Sequence, residues 1–486
     1  MRKKIKRKVI KLNDIIEEEI KQSSLRQGFS KSLIKYSKTL INKKTNQHKD
    51  FTNVPFITID GEDSKDFDDA VWAEMKDNKT KVMIAIADVS YYVQQDDPLD
   101  VEAKKRGNSF YFPDRVIPMF PFEISNDLCS LVPNEKRKCI IVEVNFINKK
   151  IKDFKIHRGI IKSFGRLTYE EVERIYNRKE TRNKYFKLIC DLFRTYDLLK
   201  KMSEERGKII FNSNEFKINL KSSEDFEFLK TKRLESYSLI EEFMVLANSI
   251  IGNFLKRNKV RSLFRNHEKP PNEKISNLKK IVNDNNIKYS SNFQNQSDFN
   301  TFIKKIEKNQ KLSFLNEVLL RSQSKAYYNE KNKGHFGLSI DDYVHFTSPI
   351  RRYSDLVVHR NLISAYFENK LKKYIDVSDH LNLQEKKADM MERKIMERAC
   401  SLYLKKIKKF DFLGFIDGIE SFGIFIKAID YPFSGLARYR RNDYEFDRSR
   451  NPKYKIGQLV RFRIKKNNIH NGKILLDRVR IMNESF

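Results

Sequence analysis

The sequence has few cysteines, and their spacing excludes two classes of site. Four occur among 486 residues: Cys129, Cys139, Cys190 and Cys400. No pair has CxxC spacing, so neither a zinc site nor a disulfide framework is expected. The thiols are predicted to be ordinary core residues in a reducing compartment.

Long apolar runs are also absent. No stretch approaches the roughly 20 residues that a membrane span needs. The basic start MRKKIKRK is not followed by an apolar signal-peptide core, and the acidic run Glu17–Glu19 argues against a transit peptide. The expectation is therefore a cytoplasmic protein without a membrane partner.

Acidic residues are in the minority, with 65 Asp and Glu against 97 Lys and Arg and a net charge of +32. Such an excess favours nucleic acid or another polyanion as the partner. Lysine, asparagine and isoleucine are abundant throughout, so the alternative is that part of the excess reflects genome composition and carries no function.

Carboxylates are nevertheless concentrated in one place, the segment IDGEDSKDFDD. Asp60, Asp66, Asp68 and Asp69 lie there, with two further acids between them. Concentrated carboxylates repel one another unless a cation neutralises them, and hard oxygen ligands on a loop suit Mg²⁺. Two such ions can clamp the attacking water and the leaving oxygen of a phosphoryl displacement. The alternatives are a solvated acidic loop and a calcium site, although EF-hand spacing is absent.

A second motif, HFTSPIRRYSDLVVHR, predicts a helix that begins with fixed positive charge. Ser348 is a suitable N-cap and Pro349 suits the first helical position. Arg351 and Arg352 would then lie in the first turn, beside a helix N-terminus that can bind phosphate. The alternative is that Arg351 pairs with an internal carboxylate such as Asp355.

The order of predicted elements indicates an α+β protein. Strand-like segments such as FITID, KVMIAIADVSYYV and CIIVEVNF come first, and helices follow. Helices are predicted over 13–22, 170–205, 235–256, 275–284, 312–328 and 378–409. In the last of these, a stripe at helical spacing predicts core packing: Ala388, Met391, Ile395, Ala399 and Leu402.

Three parts of the chain are predicted from these elements. Residues 1–50 form a basic arm, partly helical or disordered, and residues 51–409 form the main domain. Residues 410–486 contain short strands separated by glycine turns, which predicts a small five-stranded barrel of OB type.

These motifs occur in the order found in a known family. IDGEDSKDFDDAV, AIADVSYYV, LIEEFMVLAN, LFRNHEKPP and GHFGLSIDDYVHFTSPIRRYSDLVVHR together resemble the ribonuclease II / ribonuclease R (RNB) family of exoribonucleases. The resemblance is closer to the ribonuclease R branch and runs from about Asn53 to the C-terminus. It implies an RNB catalytic domain followed by an OB-type RNA-binding domain.

The resemblance also implies an activity and its cofactor. The reaction would be processive 3′-to-5′ hydrolysis of single-stranded RNA to nucleoside 5′-monophosphates with one or two Mg²⁺ ions, for which Mn²⁺ could substitute. All four aspartates would serve the metal site, Asp60 and Asp69 as direct ligands of one ion. Asp68 would be most critical to the chemistry, beside Asp66 and Arg351, the arginine that holds the scissile phosphate.

RNA-binding residues follow from the same resemblance. Tyr111 and Phe211 match the two faces of a clamp on the terminal base, and aromatic stacking is worth about 1–3 kcal/mol per base. Tyr169 and Glu242 match a pair that reads the ribose, where the 2′-hydroxyl distinguishes RNA from DNA. The remaining RNA-binding candidates are Arg352 and, in the barrel, Phe422, Phe425 and Arg438.

One departure from the family affects the expected behaviour. Members usually carry two cold-shock domains before the catalytic domain, and here about fifty basic residues stand in that place. Processivity and the handling of structured RNA are therefore left open, and Arg2–Lys8 are a candidate substitute that captures RNA by charge. The alternative function is an RNA-binding subunit of a degradation assembly with little activity alone, although no obligate protein partner is evident.

Overall fold

The computed structural model describes residues 10–42, 48–211, 215–222, 225–231, 233–289, 292–370, 376–407, 409–439 and 454–482. Its helices, in chain order, are α1 (Leu12–Gln22), α2 (Lys31–Thr39), α3 (Val89–Tyr92), α4 (Pro98–Arg106), α5 (Tyr169–Asn177), α6 (Phe186–Arg206), α7 (Glu235–Arg257), α8 (Asn272–Asp284), α9 (Gln296–Glu307), α10 (Leu315–Ser322), α11 (Tyr353–Tyr366) and α12 (Ser378–Lys406). Shorter helical turns cover Leu40–Asn42, Glu123–Leu128, Gln310–Leu312 and Phe336–Leu338.

The strands that carry the main domain are β1 (Lys49–Asp50), β2 (Ile57–Asp60), β3 (Asp69–Lys76), β4 (Lys79–Ala87), β5 (Phe110–Tyr111), β6 (Val116–Ile117), β7 (Lys136–Ile147), β8 (Lys150–Lys162), β9 (Gly165–Thr168), β10 (Glu215–Leu220), β11 (Phe226–Thr231), β12 (Phe264–Asn266) and β13 (Tyr327–Asn329). The strands that follow α12 are β14 (Phe412–Glu420), β15 (Gly423–Ala428), β16 (Ser434–Arg438), β17 (Leu459–Asn467) and β18 (Ile474–Ile481).

A seven-stranded mixed sheet forms the centre of the main domain, in the order β1-β8-β7-β4-β3-β2-β9. The β1–β8 and β2–β9 pairs are parallel, and the pairs between them are antiparallel. Both faces of the sheet are covered. In β4, Ile84 and Ile86 pack with α5, α6 and α7 on one face, whereas Met83 and Ala85 pack into a second cluster on the other. A strand buried on both faces reads as a nearly continuous apolar run, as MIAIA does.

Helix α7 is the one described helix whose length and composition would also suit a membrane span. Two thirds of its most apolar window, 67%, is buried inside the protein, and Leu239, Phe243 and Ile251 are fully enclosed in the main core. Its apolar character is therefore accounted for by packing against the sheet.

The chain after α12 closes into a five-stranded barrel in the order β14-β15-β16-β18-β17. Its interior is filled by alternate residues such as Ile416, Ile426 and Phe462. This is the strand order of a five-stranded OB barrel. The α+β class and the C-terminal barrel predicted from the sequence are confirmed.

The N-terminal region is better ordered than the sequence predicts. The helix expected over 13–22 is observed as α1, but residues outside it also form α2, whose Leu33 packs into the second core cluster of the sheet. Helix α1 buries Ile15 and Ile16 against the apolar stripe of α12. An arm was expected because these packing partners lie far away in the sequence. The predicted role of Arg2–Lys8 falls outside the described residues.

Two helix predictions differ from the structure in the region 290–330. Helix α9 was missed, because its polar N-terminal sequence NFQNQSDFN resembles a loop. The single helix expected over 312–328 ends at Ser322, and Tyr327–Asn329 instead pairs antiparallel with Phe264–Asn266. Pairing with a distant strand overrides the local helical pattern here.

Candidate active site

The aspartate segment connects two neighbouring strands of the sheet. Asp60 is the last residue of β2 and Asp69 is the first residue of β3, and these strands are antiparallel through the Ile57–Val71 pair. The connection between two antiparallel neighbours joins the end of one strand to the adjacent start of the next. Both carboxylates therefore lie at the same end of this strand pair. Asp60 Oδ1 accepts the Gly61 N–H at 2.7 Å, which fixes the first carboxylate at the start of the turn.

Asp68 is the most constrained acid of the group. Its side chain is 5% exposed, and Oδ1 accepts the Ile350 N–H at 2.8 Å. The other oxygen, Oδ2, is buried without a hydrogen-bond partner, and Arg351 Nε lies 3.7 Å from it. Burial raises the pKa of Asp68 well above its ordinary value; the charges of Asp66 and Asp69 act in the same direction, and Arg351 opposes them. The site therefore holds a buried carboxylate oxygen that no protein donor satisfies.

The pKa values of Asp69 and Asp60 are also raised, which means that the protein disfavours their ionised forms. Burial, reinforced by the charge of Asp60, raises the pKa of Asp69 to about 7. The pKa of Asp60 is raised by burial and by Asp66, against the hydrogen bond from Gly61. Carboxyl groups that raise one another's pKa values share one small region.

This donor set fits a hard cation. All its groups are carboxylate oxygens, the chemistry that Mg²⁺ prefers, and Asp68 Oδ2 has no other partner. Within the described residues, no three acidic, imidazole or thiol groups stand close enough to form a ready-made site. The fit therefore rests on the type of donor and on the unsatisfied oxygen of Asp68.

The arginine motif lies against this cluster but does not form the predicted helix start. Helix α11 begins at Tyr353, and Arg352 is its extended N-cap. Residues 348–351 instead form a turn in which Ser348 O accepts the Arg352 N–H at 2.9 Å. A bridge between Asn108 and Arg352 and the bond from Ser109 N–H to Arg351 O hold Arg352, the residue after the turn, in an extended conformation. Pairing with residues 107–109, which no local pattern reveals, displaces the helix start by several residues.

The two arginines have different environments. Arg352 Nη2 donates to Asp355 Oδ1 at 2.7 Å, and the Asp355 side chain is fully buried. Arg351 is 45% exposed, and Nη2 donates to Ser348 Oγ at 3.0 Å. Asp355, the internal carboxylate named as a possible partner of Arg351, thus pairs with Arg352, whereas the carboxylate near Arg351 is that of buried Asp68. Of the pair, Arg351 is the one whose guanidinium faces both the aspartates and solvent.

Tyr111 joins the same site from the short hairpin β5–β6. Its hydroxyl donates to Asp66 Oδ2 at 2.8 Å, and the side chain remains 47% exposed. A cavity of about 170 Å³ lies beside it, lined by Tyr111, Arg351, Arg352, Tyr328 and residues of α12. The exposed ring of Tyr111 and the guanidinium of Arg351 therefore border one cavity, and each lies close to an aspartate of the cluster, Asp66 and Asp68 respectively.

The two residues predicted to read the ribose have different surroundings. Tyr169 begins α5 and stacks on Tyr237 with ring centroids 3.9 Å apart. The preceding residue, Thr168, pairs with Asp60 across β9 and β2, and burial together with the charges of Asp60 and Asp69 raises the pKa of Tyr169. Glu242 is buried on α7 and accepts a hydrogen bond from Lys208 Nζ at 2.6 Å.

Phe211 and the barrel residues are carried by elements other than those that hold the aspartates. Phe211 is partly buried against the cluster formed by α8, α9 and α10. In the barrel, Phe422 is 48% exposed and meets Phe425 edge-to-face at 6.3 Å, while Arg438 pairs with Gly423 across β15 and β16. The three barrel residues thus form one aromatic and basic end of the barrel.

Sequence reasoning missed two groups around the site. Lys208 is buried between Glu241 and Glu242, and residues 107–109 carry the Arg351 turn. A lysine in the apolar run GKIIF, followed by the acidic pair in LIEEF, is a signal that could have identified the first group. The second depends on a backbone contact between distant segments and leaves no local signal.

Comparison with known proteins places this geometry in a wider context. The family model described as the RNB domain matches residues 48–368. Ribonuclease R of Buchnera aphidicola subsp. Schizaphis graminum is 36% identical over 472 residues, which cover 90% of this chain and 65% of that protein. Ribonuclease R of Escherichia coli K12 is 34% identical over 460 residues, covering 87% and 56% respectively. The chain thus spans less than two thirds of the length of these relatives.

A solved structure agrees with the sequence matches. Ribonuclease R of Mycoplasma genitalium, in complex with ribose-methylated single-stranded RNA, aligns with a TM-score of 0.88 at 28% identity. The alignment covers 96% of this chain and 78% of that one.

Proposed function

Since the chain belongs to the RNB family, with ribonuclease R proteins among its relatives, we propose that it is a metal-dependent 3′-to-5′ exoribonuclease that acts processively on single-stranded RNA. The observation that carries this proposal is the position of Asp68. Its unsatisfied oxygen lies 3.7 Å from Nε of Arg351, and Arg351 lines a cavity together with Tyr111, which donates to Asp66. Carboxylates for a cation next to an arginine for a phosphate are the elements of phosphodiester hydrolysis.

The reaction would release one nucleoside 5′-monophosphate per step. Water attacks the last phosphodiester phosphorus, the bond from phosphorus to the 3′ oxygen breaks, and that oxygen takes a proton to leave a new 3′-hydroxyl. Mg²⁺, held by Asp60, Asp66, Asp68 and Asp69 and replaceable by Mn²⁺, would supply Lewis acidity and a more acidic water.

The protein groups would orient the substrate. Arg351, half-exposed and held by Ser348, would bind the scissile phosphate opposite the aspartates. The exposed ring of Tyr111 would stack on the terminal base, with Phe211 proposed for its other face, and the bond to Asp66 would fix the ring. Tyr169 and Glu242 would read the ribose.

Two further surfaces would hold the rest of the strand. Arg352 borders the cavity, although its bond to Asp355 makes stabilising the turn its first role. At the barrel, Phe422, Phe425 and Arg438 would bind RNA by stacking and charge. Because phosphate contacts release counterions, binding should weaken as salt rises.

The test is a time course on a 5′-labelled single-stranded RNA with Mg²⁺, with EDTA, and beside the matching DNA. A direct change from full length to a very short product, only on RNA and only with metal, supports the proposal. A ladder of intermediates would retain the exonuclease and contradict processivity. RNA that is bound but never cut would favour the RNA-binding-subunit alternative.

A further inference from the structure

The hairpin that carries Tyr111 is too small to determine its own position. β5 and β6 contribute two residues each, paired as Phe110–Ile117 and Tyr111–Val116. The turn between them is closed by the Phe112 N–H bonding to Arg115 O at 2.8 Å. Isolated two-stranded hairpins are marginally stable at best. What the hairpin packs against must therefore decide where Tyr111 stands.

The two faces of the hairpin look in different directions. Tyr111 reaches Asp66 on one side, whereas Phe110 and Ile117 are 3% and 4% exposed and belong to a buried cluster on the other. Residues of α1 belong to the same cluster, including Ile15 and Ile16, which are fully buried. The side of the hairpin away from the site therefore shares its core with α1.

Polar contacts reinforce that connection at the tip of the hairpin. Glu17, on the exposed side of α1, accepts a hydrogen bond from Arg115 Nη1 at 2.5 Å. Arg115 also binds the adjacent Asp114 at 2.7 Å. Exposed ion pairs add little to the free energy of unfolding. The main effect of the Arg115–Glu17 contact is therefore to hold the tip of the hairpin in place against α1.

Helix α1 is itself firmly held. Arg398 of α12, 2% exposed, binds Glu18 at 2.5 Å and Glu19 at 2.8 Å, and its Nε donates to Ile469 O at 3.1 Å. Because one buried arginine joins α1, α12 and the barrel, α1 offers the hairpin a fixed support.

We propose that α1 is a positioning element for the nucleotide-binding hairpin, and that Ile16 and Glu17 set the place of Tyr111 without touching substrate. The inference rests on the proposed function for its effect on RNA, but the placement of the hairpin is independent of it. In the exoribonuclease, loss of this support would let Tyr111 leave its place over the terminal base. The shortest product that remains bound should then change in the same direction as in Tyr111→Ala, measured alongside.

Two variants with matched controls test this. Glu17→Arg reverses the charge facing Arg115, and Asp411→Arg does the same to the comparably exposed Arg463–Asp411 pair in the barrel. Ile16→Ala truncates the core under the hairpin, and Leu192→Ala truncates a buried residue of α6 in a separate cluster. Glu17→Arg lies on the surface, so it keeps the test available if Ile16→Ala fails to fold.

The first readout is hydrogen exchange of the amides of residues 110–117 in the folded protein, which does not depend on catalysis. Exchange about tenfold faster in Glu17→Arg and Ile16→Ala, but not in the controls, is expected. The second is end-product length, which should shift in the direction seen for Tyr111→Ala, with KM affected more than kcat.

Unchanged exchange and unchanged products in the folded variants would overturn the inference, and α1 would then only pack on α12. If the wild-type protein cuts no RNA, the proposed function fails, and hydrogen exchange alone still decides whether α1 holds the hairpin.

Discussion

Asp68 contacts two adjacent residues of the 348–351 turn, Ile350 through its backbone and Arg351 through its side chain. Asp68 Oδ1 accepts the N–H of Ile350, and the next residue brings Arg351 Nε to 3.7 Å from Oδ2. The backbone bond fixes the Asp68 carboxylate relative to the backbone of the turn, and the rotamer that Arg351 adopts brings its guanidinium beside the carboxylate. A phosphate bound by Arg351 would thus lie next to the unsatisfied oxygen.

Replacing Asp68 by Asn should separate catalysis from binding. Asn keeps an acceptor for the Ile350 N–H and removes a buried charge that the fold disfavours, so thermal stability should be unchanged or higher. Turnover of single-stranded RNA should fall at least about a hundredfold, with RNA affinity largely kept. The control is Asp63→Asn, an exposed acid of the same loop. Wild-type turnover in Asp68→Asn would contradict the assignment of the site.

Mg²⁺ should stabilise the folded protein, and more so at higher pH. A carboxyl group whose pKa is raised on folding contributes stability that is full below its ordinary pKa of 3.8 and is lost as pH rises through the folded value, about 7 for Asp69. The metal-free protein therefore loses this stability towards pH 8, and a bound cation restores it. Melting temperatures of EDTA-treated protein with and without Mg²⁺, at pH 6 and pH 8, measure the effect.

The expected shift is a few degrees at pH 8 and less at pH 6. Asp60→Asn should reduce the shift with Mg²⁺ at both pH values, because one carboxylate of the set is lost. An Mg²⁺ shift that is equal in this variant and in the wild type would place the ion elsewhere.

Loss of Arg352 should mainly lower stability, whereas loss of Arg351 should mainly lower turnover. Arg352→Ala leaves the fully buried Asp355 without its charged partner and with hydrogen bonds only from Ser348 and Ser354, which should cost about 3 kcal/mol. Arg351→Ala removes a 45% exposed group, so it should lower turnover with little change in stability. Urea midpoints and single-turnover rates on both variants distinguish the two roles. Equal loss of stability would show that Arg351 also supports the fold.

His335 should make the protein labile to acid. Burial, with the charges of His267 and Arg265, lowers its pKa to about 3. For a group with a lowered pKa, stability is present above the ordinary value of 6.5 and is lost as pH falls towards the folded value. Between pH 7 and pH 5 this costs about 1–2 kcal/mol.

Urea denaturation across that pH range measures the effect. His335→Asn keeps an acceptor for the Leu338 N–H and should flatten the profile. His470→Asn, at an exposed position, should not. Parallel profiles for the wild type and His335→Asn would remove His335 as the cause.

Local sequence patterns predicted those structural features that depend on residues close together in the chain. The apolar run of β4, the ends of α1 and α7, and the buried stripe of α12 follow from side-chain period and composition. The stripe could not reveal that α1 covers it, nor could FTSPIRR reveal its pairing with residues 107–109. The aspartates were visible from spacing alone, whereas the division of labour between Arg351 and Arg352 required knowing which one reaches buried Asp355.

The contact between Arg398 and Glu19 joins residues 379 positions apart, and this affects how the chain is made. At about 5–20 residues per second, a ribosome needs roughly 20–75 s to reach Arg398 after synthesising α1. During that interval the isoleucine face of α1 lacks its partner on α12. The nascent chain thus exposes an apolar helix face for most of its synthesis. An excess of free α1 peptide supplied during translation should compete for α12 and lower the yield of folded protein.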